Sequence, residues 1–369
     1  MSLRVTHCST LLFTLVLAAC GGGSTDDQLA GESPTQGAQF ASTEATIAVS
    51  TDVSTDGAEA PVAHIDEQAE ASPTFDPDEA SSVNDGPAVE LHGGATVATA
   101  APSVHRGMWS WRDSDIKTAS ARQKLIDFAV DRKITSVYVS AQWLMRDTPQ
   151  ELAAFIDLAA SKDISVELLL ASHDWALTEN HQLALDQVKK ANAFVKGLTG
   201  AKPVALHFDV EPHSLPGWAN NQVSYGNQLI DLYTKLRQAR DPSLRLNADI
   251  AMSYRTIKIT RSGVTKTLAQ WMVDKSDSTT LMAYRDYATG PDSITYHADH
   301  PINYAAKKGK VSYVGVETTC GLEPVKITFC EEKQAGMNAA LSTVVSTYEG
   351  NAGFGGLAIH DYAGYSILP

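Results

Sequence analysis

The chain has 369 residues, a formal net charge of −14 and four cysteines. That length allows a large core, and the acidic balance argues against nucleic acid, whose phosphates need cationic partners. Residues 21–103 carry fifteen acidic side chains and no Lys, Arg, Trp or Tyr, so the remainder is close to neutral and the acidity does not describe a binding site.

The N-terminus has Arg4, an apolar run from Leu11 to Ala19, and Cys20 followed by three glycines. The run is too short to span a bilayer. With its basic start and small residues at the end, it reads as a secretory signal peptide over residues 1–19. Leu17-Ala18-Ala19-Cys20 resembles the bacterial lipobox. That resemblance implies a lipid on Cys20, a membrane as partner through that lipid, and, with Gly21 next, the outer membrane of a bacterial cell envelope. Residues 20–103 bury too little apolar surface to offset the entropy of ordering, so a disordered acidic tether rich in Ala, Ser, Thr and Gly is expected there.

Residues 104–369 fit one domain. Short β-branched runs predict strands at Arg106–Trp111, Thr135–Ala141, Ser165–Ser172, Val204–Glu211, Arg245–Met252, Thr279–Asp286, Val311–Glu317 and Gly355–Asp361. Helical periodicity lies between them at Arg122–Arg132, Pro149–Ser161, Gln182–Lys196, Tyr225–Arg240, Thr267–Lys275, Asn303–Lys308 and Met337–Tyr348. This alternation predicts an α/β fold, the (β/α)8 TIM barrel, with its last helix missing or atypical. A doubly wound open sheet competes, but the first turn lacks the Gly-rich signature it usually carries. Cys8 falls in the signal and Cys20 in the lipobox. In an oxidising compartment the remaining Cys320 and Cys330 are expected to form a disulfide, worth roughly 2–3 kcal/mol for so short a loop.

Barrel enzymes work at the C-terminal ends of their strands. The fourth strand is the most informative. Val204, Leu206, Phe208 and Val210 share one face, while Ala205, His207, Asp209 and Glu211 share the other. Titratable groups on an inward face are costly unless paired or used. At the other strand ends the candidates are Trp109 and Trp111, His173 and Trp175, Tyr284 and Asp286, Glu317, and then His360, Asp361 and Tyr362. Five of the six tryptophans fall at or just past strand ends, where aromatic faces beside polar groups suit sugar rings. Trp109, Trp111, His173, Trp175, His207, Tyr284, Asp286, His360, Asp361 and Tyr362 are therefore expected to hold substrate. The histidines and aspartates lack HxH or HExxH spacing, so neither a metal nor a cofactor is expected. No nucleophile elbow marks a Ser/His/Asp triad.

Glu211-Pro212 after strand four and Glu317 after strand seven resemble the paired glutamates of retaining barrel glycosidases, although Val210 stands where their Asn-Glu-Pro motif has asparagine. That resemblance implies Glu211 as general acid/base, Glu317 as nucleophile, and Asp209 tuning Glu211. Asp209-Val210-Glu211 with Met282-Ala283-Tyr284 is also similar to family-18 chitinases, with His207, Val204 and Arg285 as departures. There the glutamate is the acid, and the aspartate and tyrosine orient an acetamido group that attacks. Both resemblances imply a hydrolase acting on a polysaccharide or glycan with Glu211 as proton donor. A sugar-binding lipoprotein without turnover is the non-catalytic alternative.

Overall fold

The computed structural model describes residues 104–369. The expected signal peptide, lipidation of Cys20 and tether fall outside the described residues. Eight parallel strands close into a barrel: β1 Arg106–Ser110, β2 Ser136–Ser140, β3 Ser165–Ala171, β4 Ala205–Asp209, β5 Arg245–Ala251, β8 Ser278–Met282, β9 Val311–Glu317 and β10 Phe354–His360. The strand order follows the chain around the barrel, and β10 pairs with β1 to close it. This is the (β/α)8 architecture.

The helices are α1 Ala119–Asp131, α2 Leu144–Asp147, α3 Pro149–Ala160, α4 His181–Gly197, α5 Trp218–Ala239, α6 Leu268–Lys275, α7 Ile294–Lys307, α8 Lys333–Thr347 and α9 Tyr362–Tyr365. The four-residue α9 stands where a full final helix would follow β10. Three elements depart from expectation, the short α2 among them. An antiparallel hairpin, β6 Lys258–Arg261 and β7 Val264–Thr267, is inserted after β5. Its turn places Ser262 (φ 49°) and Gly263 (φ 78°) in the left-handed region, as two-residue hairpin turns require. Helix α7 starts at Ile294, well before Pro301, because the Ser293 side chain accepts the Tyr296 N–H at 3.2 Å and caps its first turn. Proline reads as a breaker in sequence, yet this helix carries Pro301 inside it.

The outward strand residues, among them Leu206, Phe208 and Val210, are buried against the helices. The barrel interior is different. Trp109, Trp111, Tyr138, Leu169 and Ala358 form a separate small cluster, and polar side chains fill much of the rest. Two glycines make room for the large rings. A Cβ on Gly107 would meet the Tyr138 Oη at 2.1 Å, and one on Gly315 would meet the Trp109 ring at 3.0 Å. Cys320 and Cys330 are joined, with Cα atoms 5.0 Å apart, across the loop that follows β9. Among the described residues no helix is long and apolar enough to cross a membrane.

Candidate active site

Strand alternation and register stack the interior side chains in layers. His207 lies level with Leu169 on β3 and Asn247 on β5, while Asp209 lies one step higher, level with Ala171. The lower layer is a closed polar network. His207 Nδ1 is 2.8 Å from Glu167 Oε2, and its Nε2 is 2.8 Å from Asp249 Oδ1. Asn247 Nδ2 donates to the same Glu167 oxygen at 2.7 Å, and Trp109 Nε1 donates to Asp249 Oδ2 at 3.0 Å. The Tyr138 ring stacks on the imidazole at 4.2 Å. Burial alone would lower the His207 pKa, but the two carboxylates override it and push it up to about 10. Both ring nitrogens face acceptors, so the residue is an imidazolium. Glu167 is correspondingly held below its usual range: burial would raise it, and the imidazolium and the Asn247 amide outweigh that.

The upper layer opens into a cavity of about 500 Å³ at the C-terminal ends of the strands. Asp209 lines it, and its Oδ1 is buried and has no hydrogen-bond partner. Burial, then the facing charges of Glu211 and Asp249, push its carboxyl well above the usual range. It keeps a proton where an ordinary aspartate has lost it. Glu211 follows β4 and is more open, 23% exposed, with His213 Nε2 3.5 Å from its Oε1.

Glu317 ends β9 on the far side. Its Oε1 accepts the backbone N–H groups of Thr318 at 2.8 Å and Thr319 at 2.7 Å, and its Oε2 lies 2.7 Å from His360 Nδ1. Burial would raise its pKa, but His360 and these donors hold it below the usual range. Both oxygens are engaged by the protein. For His360, burial acts downward and the Glu317 carboxylate pushes the imidazole up to about 9. The Trp111 indole, 2.8 Å from Nε2, opposes that rise, since an indole N–H only donates and needs a lone pair there. Tyr284 lines the same cavity. Burial and the surrounding carboxylates, Glu317 first, raise its phenol well above 10, so it remains a donor.

Of the residues named from sequence, Trp109, Trp111, Asp209, Glu211, Tyr284, Glu317, His360 and Asp361 line the cavity. The others do not. His207 is 1% exposed and saturated by its two carboxylates, beneath the cavity floor. Trp175 is turned onto Phe208, behind β4, with ring centroids 6.2 Å apart. Tyr362 packs edge-on against Phe128 at 5.4 Å. Asp286 donates its backbone N–H to the Lys326 carbonyl at 2.9 Å, beside the disulfide loop. His173 sits in a 3-10 turn with its Nε2 3.3 Å from Asp174. Sequence reading missed Asp249 and Arg112 as cavity residues and Glu167 and Asn247 as support for His207. The signal for Asp249 was present: in Arg245–Ala251 it shares the inward face with Asn247. Among the described residues no cluster of three or more His, Cys, Asp or Glu is arranged to hold a metal ion.

No protein-family model and no curated protein matches the chain. Solved structures similar to it in backbone include a chitinase from Chromobacterium violaceum, at 11% identity and a TM-score of 0.42, covering 72% of this chain and 97% of that one. A chitinase from Bacteroides thetaiotaomicron matches at 10% identity and 0.46, over 70% and 90% of the two chains. A GH113 β-1,4-mannanase matches at 13% identity and 0.44, over 70% and 87%. With every one of these TM-scores below 0.5, the shared barrel fold rests on the closed eight-strand sheet itself, and the chemistry on the residues of the cavity.

Proposed function

We propose that the protein is a glycoside hydrolase that cleaves polymers of 2-acetamido sugars, with Glu211 as the proton donor. The observation that carries this reading is the Asp209–Glu211 pair, two carboxyl groups at and just past the end of β4 that both line the cavity, with Asp209 raised above the usual range by burial and then by the charge of Glu211. The proposed cycle begins with Glu211 as the acid and Asp209 as an acceptor. Glu211 protonates the leaving oxygen as the bond to the anomeric carbon breaks. The substrate's acetamido oxygen attacks that carbon, Asp209 accepts the amide N–H, and the Tyr284 hydroxyl donates to the acetamido oxygen. Water then opens the cyclic intermediate, giving its proton to Glu211 and restoring the starting state. The indoles of Trp109 and Trp111 supply apolar surface under the sugar.

The paired-glutamate mechanism is favoured by one observation, that Glu317 is an ionised carboxylate lining the same cavity. Against it, both Glu317 oxygens are occupied by His360, Thr318 and Thr319. A glutamine at 317 separates the two. If the acetamido group attacks, Glu317→Gln should lower kcat by no more than about tenfold; a loss of roughly four orders of magnitude or more would make Glu317 the nucleophile.

We also propose that the protein is held at the bacterial cell envelope, in the outer membrane, by a lipid on Cys20, with residues 20–103 as a tether. The lipobox-like run before Cys20 supports this. Cys20→Ala should move the protein from the membrane fraction to the soluble fraction of expressing cells, as read by immunoblot.

A further inference from the structure

Resting on the hydrolase reading above, we propose that Trp218 and Tyr225 form a binding platform for the glycan where it leaves the cavity on the β4 side. The substrate is then a polymer held over several sugar units. The platform is continuous with the cavity. His213 lines the cavity beside Glu211, and its ring lies 6.4 Å from Trp218 and 6.0 Å from the buried Tyr254. Trp218 in turn lies 6.2 Å from Tyr254 and 6.4 Å from Tyr225, the last pair within 28° of parallel.

The local sequence holds these rings in place. Trp218 and Tyr225 lie on either side of a kink in α5 at Asn221 (φ −129°, ψ 19°), and the kink leaves their rings stacked on one another. Gly217, in the left-handed region at φ 80°, turns the chain into the helix, and its carbonyl accepts the Asn221 side-chain amide at 2.9 Å. The Tyr225 hydroxyl donates to the Pro216 carbonyl at 3.2 Å, fixing its ring over the turn. Both rings are only half-buried, and the amides of Asn220 and Asn221 are exposed beside them. Aromatic faces for C–H groups next to amides for hydroxyls are what a sugar ring needs.

The test compares the full-length protein with Trp218→Ala and Tyr225→Ala on a long probe, partially acetylated chitosan, and a short one, the 4-nitrophenyl glycoside of diacetylchitobiose. Each variant should raise KM for the polymer about tenfold with kcat and thermal stability nearly unchanged. KM for the short glycoside should stay within twofold, and Trp218→Phe should restore most of the polymer affinity. An unchanged polymer KM, or equal losses on both probes, would overturn the platform. If the unaltered protein cleaves neither probe, the hydrolase reading fails on its own and retardation in chitosan-containing gels judges the platform. Retardation lost in Trp218→Ala supports it; equal migration, or none in any form, overturns it.

Discussion

Glu211→Gln should abolish most turnover while leaving the fold intact. Glutamine keeps the size and one polar face of the side chain but has no proton to deliver to the leaving oxygen. A positioned general acid is worth about 10²–10⁴-fold in rate, so kcat should fall by that range with little change in KM. Glu211 is the more open member of the carboxyl pair, so its loss should move the melting temperature by no more than a degree or two. Steady-state kinetics and a thermal melt on the same preparation check both halves. A variant that turned over near-normally would remove Glu211 from catalysis and assign the proton delivered to the leaving oxygen to another residue. A variant that lost activity only because it unfolded would show in the melt.

His207→Leu should be the most destabilising single change in the barrel. It leaves Glu167 and Asp249 buried without their shared cation, and breaking a buried pair costs about 3–5 kcal/mol. The deficit should depend on pH. His207 has an ordinary pKa of 6.5 that folding raises to about 10, so the folded state holds a proton the unfolded state releases. Its contribution is therefore fully present below pH 6.5 and is lost as pH rises through about 10. Unaltered protein should weaken steadily across that window, and the gap to His207→Leu should narrow with it. Urea denaturation at several pH values checks this; a gap that stayed constant from pH 6.5 to 10 would mean the imidazole is not charged in the fold.

Much of the barrel is legible in sequence because each strand is a short β-branched run bounded by a helical period. The inward and outward faces of β4 follow from alternation alone. Alternation does not give depth. His207 and Asp209 point the same way, and only the register with β3 and β5 shows that His207 lies below the floor while Asp209 reaches the cavity. The partners of His207 are hidden for a related reason. Glu167 is the single carboxylate of β3 and Asp249 that of β5, and only the pairing of both strands with β4 brings them to His207 across 40 and 42 residues of chain. Trp175 was assigned to the cleft because it follows a strand end, yet the 3-10 turn at His173–Ala176 turns it back toward Phe208. Turn geometry of that kind leaves no period in the sequence. The β6–β7 hairpin did leave one, a Ser-Gly turn between polar β-branched residues, but its strands are four residues each and lie outside the barrel alternation.

Substrate choice tests the central claim most directly. The full-length protein should be incubated with three oligosaccharides of equal length and linkage that differ only at carbon 2, bearing an acetamido, a free amino or a hydroxyl group. Reducing-end release reports cleavage. If the acetamido group is the nucleophile and Asp209 and Tyr284 hold it, only the acetylated oligosaccharide should be cleaved, with the others slower by at least about a hundredfold. Comparable cleavage of the 2-hydroxyl oligosaccharide would contradict that mechanism and return the nucleophile's role to Glu317.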